Sequence, residues 1–163
     1  EFGFRVSPEE FPALQPSGPY DAGCLWDTVE HLVHPRAYLR KAHEVLRPGG
    51  ALFLTTGDIG SLAARLQGPR WRLIHPPTHL HYFSKATMTR LLTDLGFRVE
   101  GIVKVGVHRE LAAMLHGLSL FSAHPAIRRL TGALVGPARR YGAHLDLYLN
   151  LYDIMFVAAR RAG

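Results

Sequence analysis

Four apolar runs along the chain have the composition of buried β-strands. They are YDAGCLWD, ALFLTT, RVEGIVKVG and LYDIMFVAARR. The second run is apolar at successive positions, which is typical of a central parallel strand covered on both faces. A fifth, short strand is predicted in GFRV near the amino terminus, before the turn at Ser7-Pro8.

Between these runs, the apolar residues follow the helical period. The segment TVEHLVHPRAYLRKAHEVL has helical spacing, and Pro35 is predicted to break or restart its helix. In SKATMTRLLTDLGF, Ser84 is suited to cap a helix at its start and Gly96 to end it. A short helix is predicted over 61–67, and helices interrupted by prolines over 108–145.

Strands that alternate with helices predict an α/β domain with a mostly parallel sheet. The chain has 163 residues, which is enough for one domain with a core of its own. We therefore interpret residues 1–163 as a single domain. Within it, residues 57–83 form a lid or acceptor loop, and residues 108–145 form a helical insert before the last strand. The motif RPGG is interpreted as a turn before the second strand.

The charge of the chain is positive and unevenly distributed. The net charge is +6, and no acid occurs between Glu110 and Asp146, where four arginines lie. That stretch is open to two interpretations: solvated helix faces, or a docking face for a membrane surface or an anionic acceptor. No helix-turn-helix, RNA-recognition or zinc-finger signature is present, so nucleic acid is not an expected partner.

The single cysteine, Cys24, excludes an internal disulfide and is typical of a reducing compartment. Its place in an apolar run predicts that it is buried. The sequence shows no signal peptide and no apolar run of the length needed to span a bilayer. We expect a cytoplasmic protein.

The segment YDAGCLWDTVEHLVHPRAYLRKAHEVLRPGGALFLTT, followed by PPTHLHYFSKATMTRLLTDLGFRV, resembles the second half of class I S-adenosylmethionine-dependent methyltransferases. The likeness is to the small-molecule branch that includes ubiquinone-type O-methyltransferases. It implies a Rossmann-like sheet of strand order 3-2-1-4-5-7-6, with strand 7 antiparallel and helices on both faces. This chain would supply strands 3, 4, 5, 6 and 7.

The resemblance also implies a Gly-rich cofactor loop after strand 1 and a ribose-binding acid after strand 2. This sequence contains no strand followed by a Gly-x-Gly loop. We therefore expect the chain to be the acceptor-side part of such an enzyme. Without strands 1 and 2, the strand at 20–26 would have an open edge, so the chain is expected to need the missing amino-terminal half or to oligomerise.

For the cofactor, the resemblance implies S-adenosylmethionine, with Ser7 and Glu9 near its adenine. Leu25, Trp26 and Asp27 would lie on its methionyl side.

Asp27, Glu30 and His31 form an acid-x-x-Glu-His set at a predicted helix start. Such a set is suited to a divalent cation such as Mg²⁺, beside an acceptor hydroxyl. The alternative is structural: Asp27 caps the helix, Glu30 favours its dipole and His31 packs under the cofactor. His31 is also the first candidate for a general base.

His75, His79 and His81 have a spacing that could bind zinc, but adjacent prolines and a missing fourth ligand count against that site. His79 and His81 are instead candidates for the acceptor pocket, together with Trp71, Tyr82 and Phe83. The alternative for the aromatic residues is packing within the lid.

These observations predict methyl transfer to a small-molecule acceptor, with a hydroxyl oxygen favoured over nitrogen or carbon. The rival hypothesis is a non-catalytic binding or assembly module. It would use the open sheet edge or the basic helical insert, with peripheral membrane contact as one form of such binding.

Overall fold

The structure is a computed structural model that describes residues 6–15, 18–122, 124–141 and 145–163. Its strands are β1 (Tyr20–Trp26), β2 (Leu46–Gly57), β3 (Phe97–Glu110) and β4 (Asp146–Arg161). Its helices are α1 (Pro35–Val45), α2 (Leu62–Gln67), α3 (Lys85–Asp94), α4 (Leu111–Phe121) and α5 (Pro125–Tyr141). Short 3-10 turns lie at Phe11–Ala13 and Gly68–Arg70.

The four strands form one sheet in the order β1-β2-β4-β3. β1 runs parallel to β2, and β4 runs antiparallel to β2. This is the order 4-5-7-6, with an antiparallel seventh strand, that the resemblance implied, so the predicted fold class is confirmed. The predicted strand in GFRV falls mainly outside the described residues; Val6, its last residue, is in no strand.

Three predicted boundaries were wrong. The RPGG motif does not end before the strand but lies inside β2, where Gly49 has φ +75° and the register with β1 shifts between Tyr20 and Ala22. No helix starts near Thr28. The first helix begins at Pro35, as the predicted restart at that residue allowed, because proline suits the first helical turn, where no N–H is needed. Pro137 does not interrupt α5 but lies within it.

β1 pairs with β2 on one side, and within the described residues no strand covers its other side. Most of β1 is exposed as a result, including Cys24, which was wrongly predicted to be buried. Within the described residues, β1 is an edge strand of the sheet.

The core covers one face of the sheet. Alternate residues of β2 and β4, among them Leu52, Leu54 and Val157, pack with α1 and α3 in one buried cluster. The helices contribute Leu39, Ala42, Met88 and Leu92. The start of α3 is held as predicted: Ser84 and Thr87 form a reciprocal capping box. Gly96 follows the helix with φ +84°, a conformation that glycine adopts without strain.

The chain divides into two compact units. One comprises Glu1–Val105 and Tyr152–Gly163, and holds the parallel pair β1 and β2. The other comprises Gly106–Leu151, in which α4 and α5 pack against each other. No helix in the described ranges combines the length and apolarity needed to cross a membrane.

Asp153 on β4 fastens the 57–83 segment to the sheet. Its side chain is 1% exposed and accepts hydrogen bonds from Trp71 Nε1 at 3.0 Å and Arg72 Nη2 at 2.8 Å. Arg72 Nε also donates to it at 3.1 Å, which completes a bidentate pair. This contact joins residues about eighty positions apart, so local sequence pattern could not reveal it.

We expect Asp153→Asn to lower the free energy of unfolding by about 2 kcal/mol, because it removes the charge of a buried carboxylate that accepts hydrogen bonds from Trp71 and Arg72. The matched control is Glu100→Gln, which removes a half-exposed carboxylate paired with Arg98 and Arg160. That change should cost less than about 1 kcal/mol. Urea unfolding of both variants measures the difference, and equal costs would contradict the assignment of Asp153 as the fastening residue.

Candidate functional site

The candidate site lies in the turn that follows β1, at the carboxyl edge of the parallel pair. Open α/β sheets bind ligands at this edge. The turn is closed by a hydrogen bond from His31 N–H to Thr28 O at 3.0 Å. The carbonyl of Glu30 accepts from the backbone N–H groups of Leu80 at 2.9 Å and His81 at 3.1 Å. These two bonds bring the 57–83 segment against the turn.

The pairing places His31 and His79 side by side, with ring centroids 4.6 Å apart. His31 Nδ1 lies 2.7 Å from the carbonyl oxygen of Thr78, and His79 Nδ1 lies 2.7 Å from that of Leu73. A carbonyl oxygen only accepts, so each Nδ1 carries a proton and donates it. In the neutral ring, Nε2 then holds the free lone pair, which is the form that binds a metal or takes up a proton.

Glu30 is the third member of this group. Its side chain is 5% exposed, and its Oε2 atom is buried with no hydrogen-bond partner in the described structure. Burial of an unpartnered carboxylate oxygen is costly and calls for an ion or a water beside it. One ligand atom each from Glu30, His31 and His79 lies within 4.8 Å of the others.

The chemical types of these donors fit a divalent cation. One carboxylate and two imidazoles are the donors that zinc and similar transition metals accept, whereas Mg²⁺ prefers oxygen ligands. The backbone carbonyls that hold the two Nδ1–H groups are the outer-shell partners that usually orient ligating histidines. The same Nε2 atoms, without a metal, are suited to accept a proton.

Asp27, the first residue of the predicted metal set, is directed elsewhere. Its Oδ1 accepts from Thr55 Oγ1 at 2.8 Å, and its backbone N–H donates to the same hydroxyl at 3.0 Å. It has φ +44° and lies before a turn, so its interpretation as a helix cap was wrong. In the structure, His79 takes the place of Asp27 beside Glu30 and His31. This grouping could not be predicted from the sequence, because His31 and His79 are some fifty residues apart in the chain.

The other predicted acceptor-pocket residues divide into two groups. His81 is half-buried, with its ring 6.1 Å from that of Phe83, and lies on the segment bonded to Glu30. Trp71 is 2% exposed and Phe83 8%, so these two rings pack in the interior instead of lining an open pocket. His75 donates from Nδ1 to Thr78 Oγ1, which in turn donates to the His75 carbonyl.

The predicted cofactor residues lie on two segments. Ser7 and Glu9 are exposed in a loop, where the Glu9 N–H donates to Ser7 Oγ at 3.3 Å. Leu25 is half-buried at the end of β1, and Trp26 beside it is 53% exposed. The ring of Trp26 stacks on Phe156, which stacks on Phe53. This aromatic row, on the sheet face opposite the core, was not anticipated because it spans three strands.

The chain matches the model of a methyltransferase domain family over residues 4–101, more than half of its length. The ubiquinone biosynthesis O-methyltransferase of Xanthomonas axonopodis pv. citri is 30% identical over 106 residues, which cover 61% of this chain and 44% of that protein. The chain therefore spans less than half the length of this relative.

Solved structures agree in fold. An S-adenosylmethionine-dependent methyltransferase from Archaeoglobus fulgidus is 18% identical with a TM-score of 0.56, covering 97% of this chain and 68% of that one. The 1,6-didemethyltoxoflavin-N1-methyltransferase of Burkholderia thailandensis, solved with S-adenosylhomocysteine, is 14% identical with a TM-score of 0.53, covering 98% and 51%.

Fold, sheet order and family match lead to one class: a Rossmann-like transferase domain. The chain belongs to the S-adenosylmethionine-dependent methyltransferase family, as its sequence resemblance implied.

The hydrogen bonds of His31 and His79 predict that both neutral rings carry their proton on Nδ1. Long-range ¹H–¹⁵N correlation spectra, recorded above the usual titration range of histidine, distinguish the protonated nitrogen from the free one in each ring. We expect a protonated Nδ1 and a free Nε2 for both rings. A spectrum with Nε2 protonated in either ring would remove it as a ligand.

Proposed function

We propose that the protein transfers a methyl group from S-adenosylmethionine to a hydroxyl oxygen of a small-molecule acceptor, bound beside Glu30, His31 and His79. The observation that carries the proposal is the convergence of these three side chains at the carboxyl edge of β1. It is supported by the likeness to ubiquinone biosynthesis O-methyltransferases, although the chain spans less than half of such a relative.

Methyl transfer asks little covalent chemistry of the protein. The sulfonium donor is already a strong electrophile, so the site must align donor and acceptor and remove the proton of the hydroxyl. The turn between β1 and α1 and the segment at 78–81 can hold donor and acceptor in a fixed arrangement. One backbone hydrogen bond closes the turn, and two others join it to the segment.

Glu30, His31 and His79 would hold a divalent cation of the zinc type, in place of the Mg²⁺ expected from the sequence. The buried, unpartnered Glu30 Oε2 supports this assignment, as do the two free Nε2 atoms. When bound, such a cation supplies Lewis acidity, which lowers the pKa of an acceptor hydroxyl. His31 would then be a metal ligand and not the general base. His81, which lies on the segment bonded to Glu30 and outside the ligand group, would be the imidazole that takes up the proton of the acceptor.

We expect the 163-residue chain to bind one Zn²⁺ per chain, and to bind Mg²⁺ more weakly. Glu30→Gln, which keeps the shape of the side chain but removes its charge, should weaken Zn²⁺ binding by at least roughly a hundred-fold. Titration calorimetry with Zn²⁺ and with Mg²⁺ gives both affinities.

His75→Ala is the matched control, since His75 lies near His79, at 6.0 Å between centroids, but outside the ligand group. It should leave Zn²⁺ affinity unchanged. Equal losses in the two variants, or stronger binding of Mg²⁺ than of Zn²⁺, would contradict the assigned donor set without touching the methyltransferase assignment.

The proposed reaction is tested in the full-length natural protein with isotopically labelled S-adenosylmethionine and a panel of phenols, alcohols and amines. We expect label on hydroxyl acceptors, and a loss of at least roughly a hundred-fold in kcat/KM for His81→Gln, as expected when a general base is removed. Transfer to amines alone would contradict the oxygen acceptor.

The rival hypothesis of an assembly module is favoured by one observation, the open edge of β1. It predicts no transfer to any acceptor. It also predicts oligomers of the 163-residue chain that dissociate in Cys24→Lys, because Cys24 is exposed on the edge strand and a charged side chain there opposes pairing with another strand. Sedimentation velocity of the parent chain and of the Cys24 variant measures the oligomeric state of each.

A further inference from the structure

A cavity of about 460 Å³ lies just after β2, and all of its lining residues belong to the first compact unit. Three cations and one acid are among them: Arg65 on α2, Lys85 at the start of α3, Lys104 on β3, and Asp58, which follows β2. None of these four is among the three residues proposed to hold a cation. The cavity is therefore a separate candidate site.

The acid that lines the cavity is already paired. Asp58 is 3% exposed, and its Oδ2 forms a salt bridge with Lys104, whose side chain is 17% exposed. Its Oδ1 accepts from the Gly60 N–H at 2.8 Å. Because the charges of Asp58 and Lys104 offset each other, the acid does not compensate the other two cations.

Those two cations have no counter-charge of their own. Arg65 and Lys85 are exposed, and neither forms a salt bridge with any residue that the structure describes. Lys85 is the first residue of α3, whose first turn contains no acid. The helix macrodipole favours negative charge at this end, so a lysine here adds to an existing positive potential. The cavity thus has an excess of positive charge that an anion would offset.

The cavity also has apolar walls. Leu62 and Tyr152 line it, and they are 71% and 67% exposed, although both side chains are large and largely apolar. Tyr152 has φ +56°, a left-handed conformation that is uncommon for an aromatic residue. Backbone strain of this kind is concentrated at ligand sites. The walls can therefore contact the apolar body of a ligand.

We infer that this cavity binds a small organic anion, in which a phosphate or carboxylate group is attached to an aromatic or apolar body. The oxyanion lies beside Arg65 and Lys85, whose side chains donate charge-assisted hydrogen bonds to it. Leu62 and Tyr152 contact the body of the ligand. The volume of the cavity is in the range of small-molecule sites. The inference does not depend on the proposed function.

Charge separates this ligand from the alternatives. A divalent cation would meet three positive side chains and a single carboxylate that is already paired. A neutral molecule could contact the apolar walls but would leave the excess positive charge uncompensated. An organic anion matches both the charged and the apolar parts of the lining.

The test is a ligand-observed NMR titration of the full-length natural protein with phenyl phosphate, with benzoate, and with the neutral benzyl alcohol. We expect saturable binding of phenyl phosphate or of benzoate, and the tighter of the two identifies the oxyanion. Benzyl alcohol should not saturate the site. Binding of the anion should weaken as salt is added, because salt screens exposed charges.

Two variants separate the charged part of the cavity from its apolar part. Arg65→Gln with Lys85→Gln should weaken binding of the tighter anion at least about ten-fold, because both uncompensated charges are lost. Leu62→Gln should weaken it roughly three-fold through loss of apolar contact.

Arg40→Gln with Arg90→Gln is the matched control. Both are exposed helical arginines outside the cavity, and the double change lowers the net charge by the same amount. This control should bind the anion as the parent protein does. All five substituted positions are exposed, and far-UV circular dichroism checks that each variant folds.

Three results would overturn the inference. The first is no saturable binding of either anion by a correctly folded protein. The second is binding of benzyl alcohol as tight as that of the anions, which would show that charge is not recognised. The third is an equal effect of the two double variants on anion binding, which would place the binding outside this cavity.

Discussion

The structure depends on the pairing of β2 with a parallel strand on one side and an antiparallel strand on the other. β2 places Leu52 and Leu54 in the core, and its register with β1 brings Thr55 opposite Trp26. Because β1 and β2 are parallel, their carboxyl ends meet at one edge of the sheet. The turn with Glu30 and His31 begins there, and so does the segment that returns His79 to it.

The site is assembled by main-chain hydrogen bonds and not by side chains alone. The Glu30 carbonyl joins two N–H groups at 80 and 81, and two further carbonyls hold the histidine Nδ1 atoms. The Asp153 pair holds the same segment from the β4 side. Three donors can then stay close together, with one carboxylate oxygen left for a ligand. Such outer contacts are the usual means of fixing ligands in position.

The order of elements could be predicted because it rests on local signals. The Ser84 cap, Gly96 after α3 and the apolar run of β2 each follow from backbone preference or from burial of successive residues. The sheet order was predicted from the family resemblance, because hydrophobic periodicity does not show which strands are neighbours. Predictions that relied on a single local rule were less successful: Pro137 lies within α5, and RPGG lies within β2.

By itself, the sequence determined the α/β class, the family, the acid-free basic segment and two members of the candidate metal group. Three other features were decided by the tertiary structure alone. Asp27 turns to Thr55, His79 joins Glu30 and His31, and Cys24 is exposed. The physical reason is the range of the interactions. Caps, periods and charge runs act within a few residues, whereas these outcomes depend on hydrogen bonds and strand pairs between segments about thirty to fifty positions apart.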